Sequence, residues 1–414
     1  MERKIDQFKE QISPILSVQE KLLNLDEEQN SIEGIIEFVD QNSHINDLFF
    51  FQSFLESISS SIISRPLFEN RYIRIIEHYL SKIPKKYFFM FLSKSNMALA
   101  LFLQNNLIDI NDIEKNFNSI DHNSLIYFKD YIKNHASSTV LKDLITKNDE
   151  AKEKENLIAK FIREDNLESF QNFVNESKVL FNSKVPWSIF ECMFFLNEKE
   201  MPTLIEYACF FGSIRIFKYL VGLGVISSIN ESNQNFPNKI LDRLGEFAVI
   251  GGNYEIIHIL EDHGVKFNEK TLLNSIKFQR NEISIYLIDT FGIQPTIDDI
   301  IMSVESNNLS YFIDNFTTTL NFDNDDKQNI KNNLEKIWLT AAKYGRFEIL
   351  KFLVSSELDF NKNVKNDAGQ NILHIAISNG YLNIIEFLID KKFIDLNHHD
   401  EFVFFNHVFL WRSN

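Results

Sequence analysis

Two cysteines in 414 residues, Cys192 and Cys209, are too few for a disulfide framework or a cysteine-ligated zinc site. Glycine and proline are scarce too, at 12 and 7. A β-sandwich or barrel needs many turns of both kinds, so short helices are expected instead. Basic residues number 42 against 58 acidic ones, and the formal charge of −16 argues against nucleic acid or an anionic membrane as the partner of the whole chain. No apolar run is long enough to span a bilayer; the longest, YFFMFLSKSNMALALFL, is broken by Ser93-Lys94-Ser95-Asn96. The opening residues, MERKIDQFKEQISP, hold no apolar segment of the secretory kind. A soluble, reduced, intracellular protein is the expectation.

Signatures of catalysis and cofactor binding are missing in the same way. There is no G-x-x-x-x-G-K-[ST], H-E-x-x-H or G-x-S-x-G. The stretch GLGVIS at 222–227 mimics part of a dinucleotide loop, but it follows a helical pattern and lacks the third glycine. Asp323, Asp325 and Asp326 resemble half a calcium loop without its glycine and closing glutamate. No cofactor and no metal is expected, and the chain is read as non-catalytic.

What is present is a globular composition, 44% hydrophobic and 24% charged, which excludes wholesale disorder. The densest basic stretch, RPLFENRYIRIIEHYLSKIPKK, sets Arg71, Arg74 and Glu77 opposite Ile73, Ile76 and Leu80 at helical spacing, so a solvated helix face is expected there.

Self-similarity is the strongest signal. Four segments align: TLIEYACFFGSIRIFKYLVGLG, RLGEFAVIGGNYEIIHILEDHG, KIWLTAAKYGRFEILKFLVSSE and NILHIAISNGYLNIIEFLIDKK. Each has an alanine four residues before a glycine: Ala208-Gly212, Ala248-Gly252, Ala341-Gly345 and Ala376-Gly380. The pattern describes a helix, a tight turn and a second helix. The alanine allows close approach to a neighbour, and the glycine takes the left-handed conformation that ends the first helix. The pairs Ile216/Leu220, Ile256/Leu260, Ile349/Leu353 and Ile384/Leu388 give each second helix one apolar face. No hairpin can bury that face alone, and stacking buries it.

The pattern resembles the ankyrin repeat. In NDAGQNILHIAISNGYLNIIEFLIDKKFIDLN, the residues Gly369, Leu373, His374, Ala376, Gly380, Asp395 and Asn397 fall on motif positions. Asn371 and Ile372 replace the motif's Thr-Pro. Weaker copies, TLLNSIKFQRNEISIYLIDTFG and TIDDIIMSVESNNLSYFIDNF, lack the alanine and the first glycine, and LIAKFIREDNLESFQNFV is weaker still. The chain looks most like the divergent ankyrin proteins of protists that begin with a helical region. The implied architecture is an all-α ankyrin-repeat solenoid of five to seven repeats at 156–400, preceded by an N-terminal helical domain at 1–150. The charged stretch KNDEAKEKEN at 147–156 is the expected boundary, and the polar stretch NFDNDDKQNIKNN is expected to lengthen a loop before Trp338.

The resemblance also sets expectations for individual residues. His374 should start a first helix and hydrogen-bond adjoining loops. Cys209, at the second alanine position, should be buried and inert. In ankyrin stacks the hairpin tips and the two residues before the helix-ending glycine face the concave groove, which here means Phe210-Phe211, Ile250-Gly251, Lys343-Tyr344 and Ser378-Asn379. Phe210, Phe211 and Ile250 are the expected apolar anchors for a partner protein; the alternative is that the flanking helical region folds over them. Lys343, Tyr344 and Arg346, with Lys365 and Gln370 at a hairpin tip, make a more polar surface.

The segment 401–414, EFVFFNHVFLWRSN, is apolar where a terminal repeat needs a polar outer face, so it is expected to cover the last repeat, to mediate self-association, or to be a misassigned chain end. The function that follows is a scaffold or adaptor gripping a partner protein by the groove and hairpin tips. The competing expectation is an unrecognised enzymatic or nucleotide-binding activity within 1–150.

Overall fold

The computed structural model of the chain describes residues 1–25, 31–42, 48–80, 107, 157–185, 201–226, 237–322 and 326–391. The boundary stretch 147–156, the tail 401–414, Cys192, Asp323 and Asp325 lie outside the described residues. Among the described residues the regular elements are helices and no strand forms; one isolated antiparallel bridge joins Lys184 to Thr203. The chain divides into two compact units, Met1–Phe322 and Asp323–Asn414.

In the first unit, α1 (Glu2–Gln11), α2 (Ser13–Leu23), α3 (Ile32–Asn42), α4 (Leu48–Ser64) and α5 (Glu69–Tyr79) form the N-terminal helical region. Tyr72, Ile75, Ile76 and Tyr79 share one face of α5 and are buried, with the Tyr72 hydroxyl donating to Leu22 O at 2.8 Å. On the opposite face Arg74 and Glu77 are exposed as expected, while Arg71 bends inward to donate to Leu25 O at 2.6 Å.

Among the described residues five helix pairs follow: α6 (Leu157–Arg163) and α7 (Leu167–Ser177), α8 (Leu204–Phe211) and α9 (Ile214–Gly222), α10 (Pro237–Gly251) and α11 (Tyr254–Asp262), α12 (Glu269–Lys277) and α13 (Asn281–Phe291), α14 (Ile297–Glu305) and α15 (Leu309–Leu320). The second unit holds α16 (Lys327–Tyr344) with α17 (Phe347–Ser355), and α18 (Ile372–Ser378) with α19 (Leu382–Asp390). Within each unit the first helices of successive pairs lie side by side. The predicted small residues Ala208, Ala248, Ala341 and Ala376 are fully buried there, as are all four Ile/Leu pairs of the second helices. This is a solenoid, and even the weakest predicted copy, at 157–174, forms a helix pair.

The degenerate copies keep the geometry with other residues. Arg280 N–H bonds Ser275 O at 2.8 Å and Asn308 N–H bonds Ser303 O at 2.8 Å, the same closure that Ser213 N–H makes to Ala208 O. Ser275 and Ser303 therefore stand in the alanine place, and both are fully buried. Gln279 and Asn307 occupy the glycine place at φ of 54° and 59°, which amide side chains tolerate at a cost.

Within the units, the residue after the turn ties four of the repeats to the ones before them. Asn253 Nδ2 donates to Gly212 O (3.2 Å), Arg280 Nε to Ile250 O (2.8 Å), Asn308 Nδ2 to Ile276 O (3.0 Å) and the Tyr381 hydroxyl to Lys343 O (3.3 Å). Each bond occupies a carbonyl left without an intrahelical donor at a first helix's end.

One expectation is corrected. From Lys327 onward the polar stretch before Trp338 is not a loop: Asp326 caps it by accepting from Asn329 N–H, and α16 runs unbroken to Tyr344. Its polar residues line the exposed turns of a long helix.

Candidate protein-binding surface

Two of the expected anchors are interior. Phe210 is 6% exposed and meets Phe211, Phe247 and Phe278 edge to face, with centroids 4.8, 6.5 and 6.4 Å away. Ile250 is buried and its carbonyl accepts from Arg280. The expectation that Phe210 and Ile250 present their side chains to a partner fails because side-by-side first helices bring these large residues against one another. Phe211 is half-buried. Gly251 is where α10 meets α8: a Cβ there would collide with Cys209 O. Cys209 is buried as expected, and burial, with Glu206 adding, pushes its thiol well up.

The N-terminal helices reach the turns of the next two repeats. Arg65 Nη1 donates to Phe278 O (2.9 Å), its Nη2 to Gln279 O (3.2 Å), and Gln19 Nε2 to Asn307 O (3.0 Å). Burial lowers the Arg65 guanidinium to about 10, and burial followed by the charge of Arg65 holds Arg280 well below its ordinary value.

In the second unit the equivalent positions are open. Lys343 is exposed at the end of α16, with its ammonium 5.1 Å from the Tyr344 ring centroid. Ser378 and Asn379 are exposed at the end of α18, and both side chains donate back to Ile375 O, at 3.0 and 2.8 Å. The two ends are neighbours, since the Tyr381 hydroxyl reaches Lys343 O. Lys365 is exposed beside a turn closed by Asn366, whose Oδ1 accepts from Gln370 N–H at 2.9 Å. Gln370 and Arg346 are half-buried, the latter at the start of α17.

His374 serves the start of α18. Asn371 Oδ1 accepts from His374 N–H at 3.0 Å, and His374 Nδ1 accepts from Asn371 N–H at 3.4 Å, a reciprocal cap. Among the described residues no group of three His, Cys, Asp or Glu side chains is placed to hold a metal ion, and no helix is long and apolar enough to cross a membrane.

Residues missed in the sequence are the ties Asn253, Arg280, Asn308 and Tyr381; a polar or hydroxyl-bearing residue right after the turn was the available signal. Compared with known families, residues 301–400 match a family model described as ankyrin repeats, in three copies, and residues 236–315 match a domain of unknown function, DUF3447. No curated protein matches the chain.

Proposed function

Because this chain is an ankyrin-repeat protein, we propose that it is a non-catalytic, intracellular scaffold that binds a partner protein through the turn ends and hairpin of its second unit. Ankyrin repeats are generic protein-interaction modules, and this supports a protein as the partner. The observation that carries the choice of surface is a contrast in burial. Lys343, Lys365, Ser378 and Asn379 are exposed on adjoining repeats, whereas Phe210 and Ile250 in the first unit are interior. Tyr344 supplies aromatic area beside Lys343, and Lys343, Arg346 and Lys365 give the surface a positive cast in a chain of charge −16, which favours acidic groups on the partner.

A photo-crosslinking residue placed at 343 or 379 in the full chain, in extract of its own cells, tests this. The same protein adduct is expected from both positions and none from the exposed position 168 on α7. Identical adducts from all three positions, or none at 343 and 379, would refute the assignment.

A further inference from the structure

The outer helices α11 and α13 carry a feature that the helix-end surface does not explain. Five rings run in unbroken contact along them and the preceding loop. Phe267 and Phe291 lie 5.3 Å apart, Phe291 and Tyr286 6.0 Å, Tyr286 and Tyr254 5.9 Å, and Tyr254 stacks on His258 at 6.5 Å. Glu261 locks the arrangement: its Oε1 accepts from the Tyr286 hydroxyl and its Oε2 lies against His258 Nδ1, each at 2.7 Å. Burial, and then Glu261, pushes the Tyr286 hydroxyl up to about 12, so it stays a donor at any physiological pH.

This rigid cluster is not covered. Tyr254 is 36% exposed, Ile285 57% and Phe291 37%. Scattered exposed apolar residues are ordinary, but Tyr254 and Phe291 belong to one continuous aromatic array, and Ile285 precedes its Tyr286 in the chain. Around them stand Glu255, Glu261, Asp262, Glu282 and Asp289, and neither helix contains a lysine or arginine. Glu255 is paired with Lys218 of α9. Asp262, Glu282 and Asp289 make no ion pair among the described residues. The charge of Glu282 bears directly on Tyr254.

We propose that this outer face of α11 and α13 is a second docking surface, whose occupant is a cationic segment of a partner protein carrying an apolar anchor. The anchor seats on Ile285 and Phe291. A lysine or arginine lies over the open Tyr254 ring, and further basic residues meet Glu282, Asp289 and Asp262. Because Glu261 already holds the Tyr286 and His258 rings in place, little freedom of these two side chains is lost on binding. The proposal stands apart from the surface at 343–379, and either can fail without the other.

The test uses the full chain with a labelled amphipathic peptide of lysine and leucine, and its glutamate–leucine counterpart, followed by fluorescence anisotropy. The basic peptide should bind and the acidic one should not. Glu282→Lys with Asp289→Lys should weaken binding roughly tenfold, and Tyr254→Ala with Ile285→Ser should do the same at unchanged charge. The exposed control pair Glu164→Lys with Glu168→Lys alters net charge equally and should change it less than about twofold. Equal losses from the two charge reversals, no loss from the neutral pair, or binding of both peptides would overturn the proposal. So would a dimer in sedimentation that Ile285→Ser dissociates, which would make a second copy the occupant.

Discussion

Arg243 Nε lies 2.8 Å from Glu206 Oε1 and its Nη2 lies 3.3 Å from Oε2, so a forked ion pair ties α10 to α8. Glu206 is only 3% exposed, and its Oε2 also accepts from Thr203 N–H to cap its own helix. Arg243→Met would leave this carboxylate buried without its cation, at an expected cost of about 3–5 kcal/mol. Denaturant unfolding of the full chain measures this, and adding Glu206→Gln should recover a good part of the loss. A cost under about 1 kcal/mol would mean the pair contributes no more than a surface bridge.

Gly345 and Gly369 share a left-handed backbone, with φ of 77° and 74°, but not their surroundings. A Cβ at Gly345 would come within 2.7 Å of the Tyr381 ring, and one at Gly369 would meet nothing within 4 Å. Gly369→Ala should therefore show conformational strain alone, about 1 kcal/mol. Gly345→Ala should exceed it by about 1–3 kcal/mol, as the ring is displaced. Equal shifts in unfolding midpoint would show that the ring moves aside freely.

Arg65 joins the N-terminal helices to the repeats through carbonyls of Phe278 and Gln279. Arg65→Met keeps the apolar stem and removes the donors. Amide exchange should then quicken in α4 and in the turn at 278–281 while α16 to α19 stay unchanged. Exchange unaltered at the turn would show that apolar contacts alone hold the junction.

Asp299, at the start of α14, is buried and accepts from Thr296 N–H at 2.8 Å. Burial raises its pKa above the ordinary carboxylate value. The native state thus binds the proton more tightly than the unfolded chain. Stability falls as pH rises from the unfolded value near 3.9 through the raised folded value. Asp299→Asn removes this dependence, so the variant should gain on wild type between about pH 4 and pH 7 in paired denaturant melts. A constant difference across that range would contradict the burial effect.

Most of the repeat architecture was legible in particular residues. Ala208, Gly212, Ile216 and Leu220, with their counterparts, marked first helix, turn and second helix. Spacing of small and apolar residues depends only on helical period and on the left-handed turn. The copies at 271–292 and 296–316 were fainter because Ser275 and Ser303 serve as small residues and Gln279 and Asn307 accept the left-handed turn, substitutions no motif anticipates. The site was less legible. Phe210 and Ile250 sit at the position that marks Lys343 and Ser378, yet the first two are interior and the latter two exposed.

The sequence by itself determined the repeating helical hairpin, because period, turn stereochemistry and helix capping act within about ten residues of chain. Only the tertiary structure decided which helix ends are open, which turns the N-terminal helices grip, and which aromatic residues of α11 and α13 meet. Burial is set by neighbours distant in sequence. Arg65 and Phe278 come together across more than two hundred residues, and no local pattern encodes that contact.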